Sequence, residues 1–411
     1  MLDQFRPGPQ IPILPGAPRD GLCTDCGVSR LGDGRACGRA CQFIAPDYPT
    51  LEARAHGRNA NPDTDEAFFG VIHSMLRARL TNPAPGAQWT GITTSLAARL
   101  LEHGLVDAVL TVLPDPADRW KPLPAIITNP ADMAKARGMR MGWAPTLALL
   151  EPARAAGHKR LAMIGIPCQT YALRALETEL GLDALYIIGT PCSDNTTTEN
   201  FHTFLNLLDK APGTISYLEF RADFRVELRF DDGRKPRLIP FLQLPISQLP
   251  PDFFPMTCKT CVDYTNRLAD ITVGYMGGDG DQWIIARNAR GAELLSLLTP
   301  QLTTAQLADS GTRFGAVKGF MENTARAAGG LPVRRMPDWL RPLVSILQRR
   351  FGPKGLEFAR ARVEMKAVET ILHLRRTHPA RMKNMIPAHV WGLAARYGLT
   401  PTTDETRPPR P

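Results

Sequence analysis

The absences in this sequence narrow its reading first. No apolar run approaches the ~18–20 residues of a membrane-spanning helix, so none is expected. The N-terminus "MLDQFRPGPQIPILPG" lacks a basic start followed by an apolar core, so no secretory signal is read and a cytoplasmic location is expected. No GxGxxG follows an N-terminal strand and no Walker loop occurs, which argues against a Rossmann-type dinucleotide fold and a P-loop. Long internal repeats and low-complexity tracts are also missing.

What is present is a chain of 411 residues, 44% hydrophobic and 22% charged, which can bury a substantial core divided among two or three units. The net charge of +9 is uneven. From Leu331 to Pro411 there are 16 Lys+Arg against 6 Asp+Glu, whereas the first 330 residues together carry −1. The C-terminal part reads as a basic helical appendage. It is either a solvated surface or a docking face for an acidic protein or an anionic membrane. Nucleic acid is not expected among the partners, and homo-oligomerisation is left open.

Three regions are expected: an arm and cysteine segment over 1–50, a catalytic α/β domain over 51–330 and a basic helical region over 331–411. "GAQWTGITTSLAARLLEHG" reads as a Gly-containing loop, a Thr/Thr/Ser cap and a helix ending at Gly104. "VDAVLTVL" and "PAIIT" are strand-like. Helical patterns at 131–137 and 145–156 lead to the strand "RLAMIGI", the helix "TYALRALETEL" and the strand "ALYIIGT", with a further helix over 197–209. This alternation predicts a layered α/β core with parallel strands. "FRVELRF-DDG-RKPRLIPF" reads as a β-hairpin, and "LADITVGYMGGDGDQWIIARN" as two strands around a Gly-rich loop. His73, in "FFGVIHSMLRARL", and His202 fall in helical patterns and read as structural.

Eight cysteines in a reducing compartment point to metal or redox chemistry rather than a disulfide framework. The first four, Cys23, Cys26, Cys37 and Cys41, form a CxxC and a CxxxC within "CTDCGVSRLGDGRACGRAC". That spacing and the following "QFIAP" favour an iron–sulfur segment; a zinc site or free thiols remain open. The phrases "IGIPC" and "IGTPC" end two apolar runs alike. Parallel strands side by side would deliver Cys168 and Cys192 to one sheet edge, where α/β folds place ligands. "CKTC" then brings Cys258 and Cys261 to complete a second set of four.

Clusters pass single electrons, and a flavin converts these to hydride transfer. Its candidate seat is "QWTGITTS", comprising Gln88, Trp89, Thr90, Gly91, Thr93, Thr94 and Ser95, where a helix start suits phosphate. Trp89, Trp143, Tyr275 and Trp283 are candidates for stacking or for the core.

"GIPCQTYALRAL", "GTPCSDNTTTENF" and "CKTCVDYTNRLADITVGYMG" resemble the factor-420 (deazaflavin)-reducing hydrogenase beta-subunit family. "CTDCG…CGRACQFIAPDY" resembles its chlorophyll-metabolism branch, which reduces the 8-vinyl group of divinyl (proto)chlorophyllide or 7-hydroxymethyl chlorophyll a. "GAQWTGITTSLAARLLE", "DRWKPLP" and "ARGMRMGWAPTLALLEPAR" favour the vinyl reaction. The resemblance covers roughly residues 20–330. It implies FAD, two 4Fe–4S clusters, reduced ferredoxin as donor and a tetrapyrrole substrate. One cluster would be held by Cys23, Cys26, Cys37 and Cys41, the other by Cys168, Cys192, Cys258 and Cys261. Arg140, Gln169, Asn195 and Thr196 join the flavin-contact candidates. The resemblance names no proton donor.

Overall fold

The two Pro-Cys phrases end neighbouring parallel strands, Arg160–Gly165 and Ala184–Gly189, with Gly165 directly opposite Gly189. Side-chain alternation accounts for their near-continuous apolar character. Leu161, Met163, Leu185 and Ile187 enter one core, and Ala162, Ile164, Tyr186 and Ile188 the other. A strand covered on both faces has no polar side to show.

The computed structural model describes residues 7–16, 23–44, 46–83, 85–221, 223–275, 281–327 and 336–406. The expected boundary at residue 330, the Gly-rich loop at 276–280 and the end of the Pro/Thr tail lie outside the described residues. The described residues fall into two units. The first draws on Met1–Cys192, Asp263–Gly274 and Asp281–Gln306, the second on Ser193–Val262, Tyr275–Gly280 and Leu307–Pro411.

The first unit is built on an eight-stranded mixed sheet. At its centre four strands run parallel: Ala108–Asp115, Arg160–Gly165, Ala184–Gly189 and Ile271–Gly274. Antiparallel strands extend both sides. Asp118–Ile127 pairs with Ala108–Asp115, while Gln282–Ala286, Ser74–Leu80 and Leu302–Ala305 continue beyond Ile271–Gly274. The helices Ile92–Glu102 and Ala289–Leu298 contribute Leu96, Leu100, Leu294 and Leu298 to one core. Pro167–Leu176 and Leu150–Ala155 contribute Leu173, Leu176, Leu150 and Ala153 to the other. The layered α/β core expected from the alternation is therefore present.

Ser74–Leu80 corrects the helical reading of "FFGVIHSMLRARL". His73 donates its amide to Ala286 O at 2.9 Å and leads into a strand flanked by two partners. Arg77 is held by Asp281 at 3.0 Å. Pairing with segments some two hundred residues away overrides the local helical period.

The second unit holds the expected hairpin, Arg225–Phe230 with Arg237–Pro240, and a third strand Ile215–Phe220 beside it. Its helices are Thr198–Leu208, Phe314–Ala327, Arg341–Phe351, Leu356–Thr377 and Ala388–Ala395, with the short helices Met256–Lys259 and Met382–Met385. The long helix Leu356–Thr377 buries Glu364, Lys366 and Glu369 along with Val363, Ala367, Val368 and Ile371.

Candidate functional site

The "CTDCG" turn is shaped around its thiols. Asp25 and Gly27 both take left-handed φ, 48° and 109°. Asp25 N then donates to Cys23 Sγ at 3.3 Å, and its carboxylate pairs with Arg30, whose Nε lies 2.9 Å from Oδ1. Gly27 is pressed against the segment Thr146–Leu149. A Cβ there would lie 2.4 Å from Ala148 N and 2.7 Å from Pro145 O, so no side chain fits. The dock is completed by Leu147 N donating to Cys26 O at 3.0 Å. Cys37 lies on the helix Ala36–Ala40, and Cys41 caps its end, with Cys41 N bonded to Cys37 O at 3.1 Å.

These four thiols share one electrostatic environment. Burial, with the charges of Cys41, Cys37 and Cys23 added, pushes the Cys26 thiol up to about 12, while the Val28 amide opposes the rise. Burial likewise raises Cys41 to about 11, with Cys37 and Cys23 adding and the amides of Phe43 and Ile44 opposing. The amides of Val28, Phe43 and Ile44 thus favour the thiolate form that burial opposes. Such a donor set fits a cationic iron–sulfur core, which lowers thiol pKa values and accepts N–H···S bonds around its rim. Among the described residues no group of three or more His, Cys, Asp or Glu closes on a single metal-ion position.

The structure places Cys168 and Cys192 as the parallel register anticipates. Pro167 and Cys168 begin the helix Pro167–Leu176 directly after the first strand. Thr190 N donates to Gly165 O at 3.0 Å, and Asn266 Nδ2 donates to Gly165 O at 2.8 Å and to Thr190 O at 3.3 Å. Cys192 N is bound by Tyr264 O at 3.0 Å. Pro191 packs so closely on Gly274 that a Cβ there would sit 2.3 Å from Pro191 Cδ. The helix carrying Cys168 is anchored lower down by a fully buried ion pair, Arg174 to Asp270 at 2.7 Å.

Cys258 and Cys261 belong to the second unit. Cys258 lies in Met256–Lys259, and Cys261 N donates to Cys258 O at 3.1 Å. Burial and then the charge of Asp194 raise the Cys258 thiol to about 12, opposed by the Asn195 amide and by Lys366. Lys366 Nζ reaches Cys258 O at 2.8 Å, Asp194 Oδ1 at 3.0 Å and Glu369 Oε2 at 2.9 Å. Thr370 Oγ1 donates to Cys261 O at 3.4 Å. The long C-terminal helix therefore holds this CxxC segment, a role the residue pattern hides because charged helix positions normally face water.

In the proposed flavin segment, Gly91 at φ 86° begins the helix Ile92–Glu102 without a side-chain cap. Gln88 and Trp89 lie in the turn before it, with Trp89 at φ 52°. Thr93, Thr94 and Ser95 are half-buried on the first turn. Thr94 Oγ1 donates to Gly91 O at 3.2 Å. Thr90 Oγ1 and Ile92 N both donate to Gln282 Oε1, at 3.0 and 3.1 Å, so Gln282 sets this helix start. Nearby, Arg137 Nη1 donates to Pro85 O at 3.3 Å. Among the described residues Arg140 donates to two backbone carbonyls, Met139 O at 3.0 Å and Arg137 O at 2.8 Å, and burial lowers its pKa. Its Nε and the Trp143 Nε1 are buried without a hydrogen-bond partner among the described residues. A half-buried guanidinium with an unpartnered Nε, and a helix that starts at a left-handed glycine, are each features that suit the phosphates of a dinucleotide such as FAD.

The other candidates are committed to the fold. Gln169 accepts from Ile166 N at 3.2 Å and donates to Ala144 O and Thr146 Oγ1 at 2.9 and 3.2 Å. Asn195 Oδ1 accepts from Thr196 N at 2.8 Å, and Thr196 Oγ1 donates to Phe253 O. Thr197 caps the helix Thr198–Leu208. Trp283 is a fully buried strand residue, and Tyr275 meets Phe358 edge-on at 5.8 Å.

Parallel strands that end in paired Pro-Cys turns, in a chain with eight free thiols, are an arrangement of the kind redox proteins use. Residues 75–151 match the N-terminal model of the coenzyme F420 hydrogenase/dehydrogenase beta subunit, and residues 158–309 its C-terminal model. The chain belongs to that family. It is 36% identical to rice 7-hydroxymethyl chlorophyll a reductase, over 94% of this chain and 85% of that one. It is 37% identical to an uncharacterised protein of Nostoc, over 93% and 95%. The beta subunit of coenzyme F420 hydrogenase from Methanothermobacter thermautotrophicus is 27% identical over 55% of this chain and 81% of its own. The fold is shared with a chain of the F420-reducing [NiFe] hydrogenase complex of Methanosarcina barkeri, with TM-score 0.52 and 22% identity, over 58% of this chain and 84% of that one. The named relatives are oxidoreductases, and so is this chain.

Proposed function

We propose that the protein is a reductase of chlorophyll-type tetrapyrroles that converts the 8-vinyl group of divinyl (proto)chlorophyllide to ethyl. Two electrons and two protons are added across the vinyl double bond, and reduced ferredoxin is the donor. The observation that carries the tetrapyrrole reading is the near full-length similarity to a chlorophyll reductase, in a chain with eight cysteines.

On this reading Cys23, Cys26, Cys37 and Cys41 hold one 4Fe–4S cluster, and Cys168, Cys192, Cys258 and Cys261 hold the other. Arg140 and the start of Ile92–Glu102 hold the phosphates of FAD. When bound, these groups supply one-electron carriage and hydride delivery. The protein's own part is to bury the thiols, direct backbone N–H groups at them, and keep a cation ready for the dinucleotide's negative charge.

The rice relative supports a second reading, in which a 7-hydroxymethyl group is reduced to methyl with loss of water. Anaerobically purified enzyme with reduced ferredoxin should be offered divinyl protochlorophyllide, divinyl chlorophyllide and 7-hydroxymethyl chlorophyll a separately. Conversion of a divinyl substrate supports the first reading, and conversion of the hydroxymethyl pigment alone supports the second. Turnover of none, or equal turnover with NADPH and no ferredoxin, overturns the proposal.

A further inference from the structure

The helix Arg341–Phe351 has its polarity reversed. A surface helix of a soluble protein buries its apolar stripe and exposes its polar face. Here the buried positions are Arg341 and Ser345. The outward positions are Leu343, Ile346, Leu347 and Phe351, exposed by 53%, 59%, 55% and 60%, with Trp339 just ahead at 73%. Spacings of three and four place these residues on one continuous face. Scattered exposed apolar residues are ordinary, but five large ones in a row mark an interaction surface.

The charge along this face is mainly basic, the acid just ahead of Trp339, Asp338, being paired with Arg341 at 3.2 Å. From Trp339 to Leu356 there are four basic residues, Arg341, Arg349, Arg350 and Lys354, and no acid. Arg349, Arg350 and Lys354 are exposed. Of the other arginine pair in this region, Arg375 is engaged by Glu405 at 2.8 Å and Arg376 by Ala325 O at 3.1 Å. Arg349, Arg350 and Lys354 thus put exposed positive charge at the end of the apolar face.

We propose that Arg341–Phe351 with Trp339 is a membrane-surface helix that lies in the headgroup layer of an anionic bilayer. At 11 residues it spans about 16 Å, far short of the ~30 Å hydrocarbon core, so it rests on the bilayer without crossing it. An exposed apolar face with an aromatic at each end and arginines at its margin is the composition of interfacial helices. Charge complementarity selects anionic lipid as the occupant. The inference does not rest on the substrate reading.

The test is flotation of the purified full chain with phosphatidylcholine vesicles and with vesicles that also contain phosphatidylglycerol. The wild type should float with the second kind and much less with the first. Ile346→Glu/Leu347→Glu should weaken binding at least about tenfold at every salt concentration, since it removes the buried apolar area. Arg349→Gln/Arg350→Gln should weaken it about tenfold at low salt and little at high salt, because the headgroup attraction is screened. Both pairs are exposed, and an unchanged circular dichroism spectrum confirms folding. A wild type that stays soluble with both vesicles, or a glutamate variant that floats like wild type, overturns the proposal. So does a dimer, or a complex with ferredoxin, that the glutamate variant loses while no form binds lipid.

Discussion

Asn266 donates its side-chain amide to the Gly165 carbonyl at 2.8 Å and reaches Thr190 O at 3.3 Å. One residue thereby ties the entrances of both Pro-Cys turns, from a backbone position at φ 58°. Asn tolerates that conformation better than most residues. Asn266→Ala removes both bonds and adds left-handed strain, for a cost of about 2–3 kcal/mol. The expected outcome is a lower unfolding midpoint together with iron loss confined to the Cys168/Cys192 set. Iron content and midpoint equal to wild type would show that the tie is incidental.

Gly27 governs the other set. Gly27→Ala must displace the 145–148 backbone, because the new methyl would stand 2.4 Å from Ala148 N, and the positive φ adds to the cost. Wild-type enzyme should contain about eight irons and one FAD per chain, as expected for two cubane clusters and a flavin. The variant should keep about half of that iron and all of its flavin. Full iron in the variant would place the ligands elsewhere than in the "CTDCG" turn.

The sequence made the central strands legible and hid the edges. "IGIPC" and "IGTPC" are short apolar runs closed by Pro, and burial on both sheet faces is what such runs mean. Ser74–Leu80 does alternate from Leu76 to Leu80, but the apolar run before it merged with it into a helical pattern, and its partners lie at residues 282–286 and 302–305. Gln282 and Asn266 could not be found from spacing, since each acts on a segment far along the chain. The C-terminal charges were legible only as a total. Pairing sorts them into buried Lys366, engaged Arg375 and exposed Arg349.

Lys366 illustrates the difference between a charge in the sequence and a charge in the fold. Burial works against its positive form, but Asp194 and Glu369 hold it protonated well above the ordinary lysine range. Lys366→Met would leave two carboxylates without their shared cation and free the Cys258 carbonyl. Breaking a buried ion pair from one side costs about 3–5 kcal/mol. Thermal unfolding should shift down accordingly, and iron bound through Cys258 and Cys261 should become labile to chelators. A variant with unchanged unfolding and chelator resistance would show that the long helix does not support this pair.

His56 should make stability depend on pH in a defined window. Its Nε2 lies 2.9 Å from Arg267 O, and its Nδ1 lies 3.2 Å from Asn288 Nδ2. A neutral ring with the proton on Nε2 satisfies both contacts, donating to the carbonyl and accepting from the amide. Burial, with the charges of Arg287 and Arg174 added, depresses its pKa to about 3, although Arg267 O opposes the shift. The unfolded chain takes up this proton near 6.5 and the folded chain only near 3. As pH falls between those values the unfolded state therefore binds more protons, and stability declines by up to about 1.4 kcal/mol per unit. Above 6.5 the contribution is flat. His56→Gln should lower stability at pH 7.5 by about 1–2 kcal/mol through the lost hydrogen bonds. It should also remove this proton uptake, so that the gap between variant and wild type narrows by about 1–2 kcal/mol at pH 5. Denaturant titrations of both proteins at the two pH values measure that gap. A gap that stays constant, or widens on acidification, would mean that His56 is not held neutral in the folded protein.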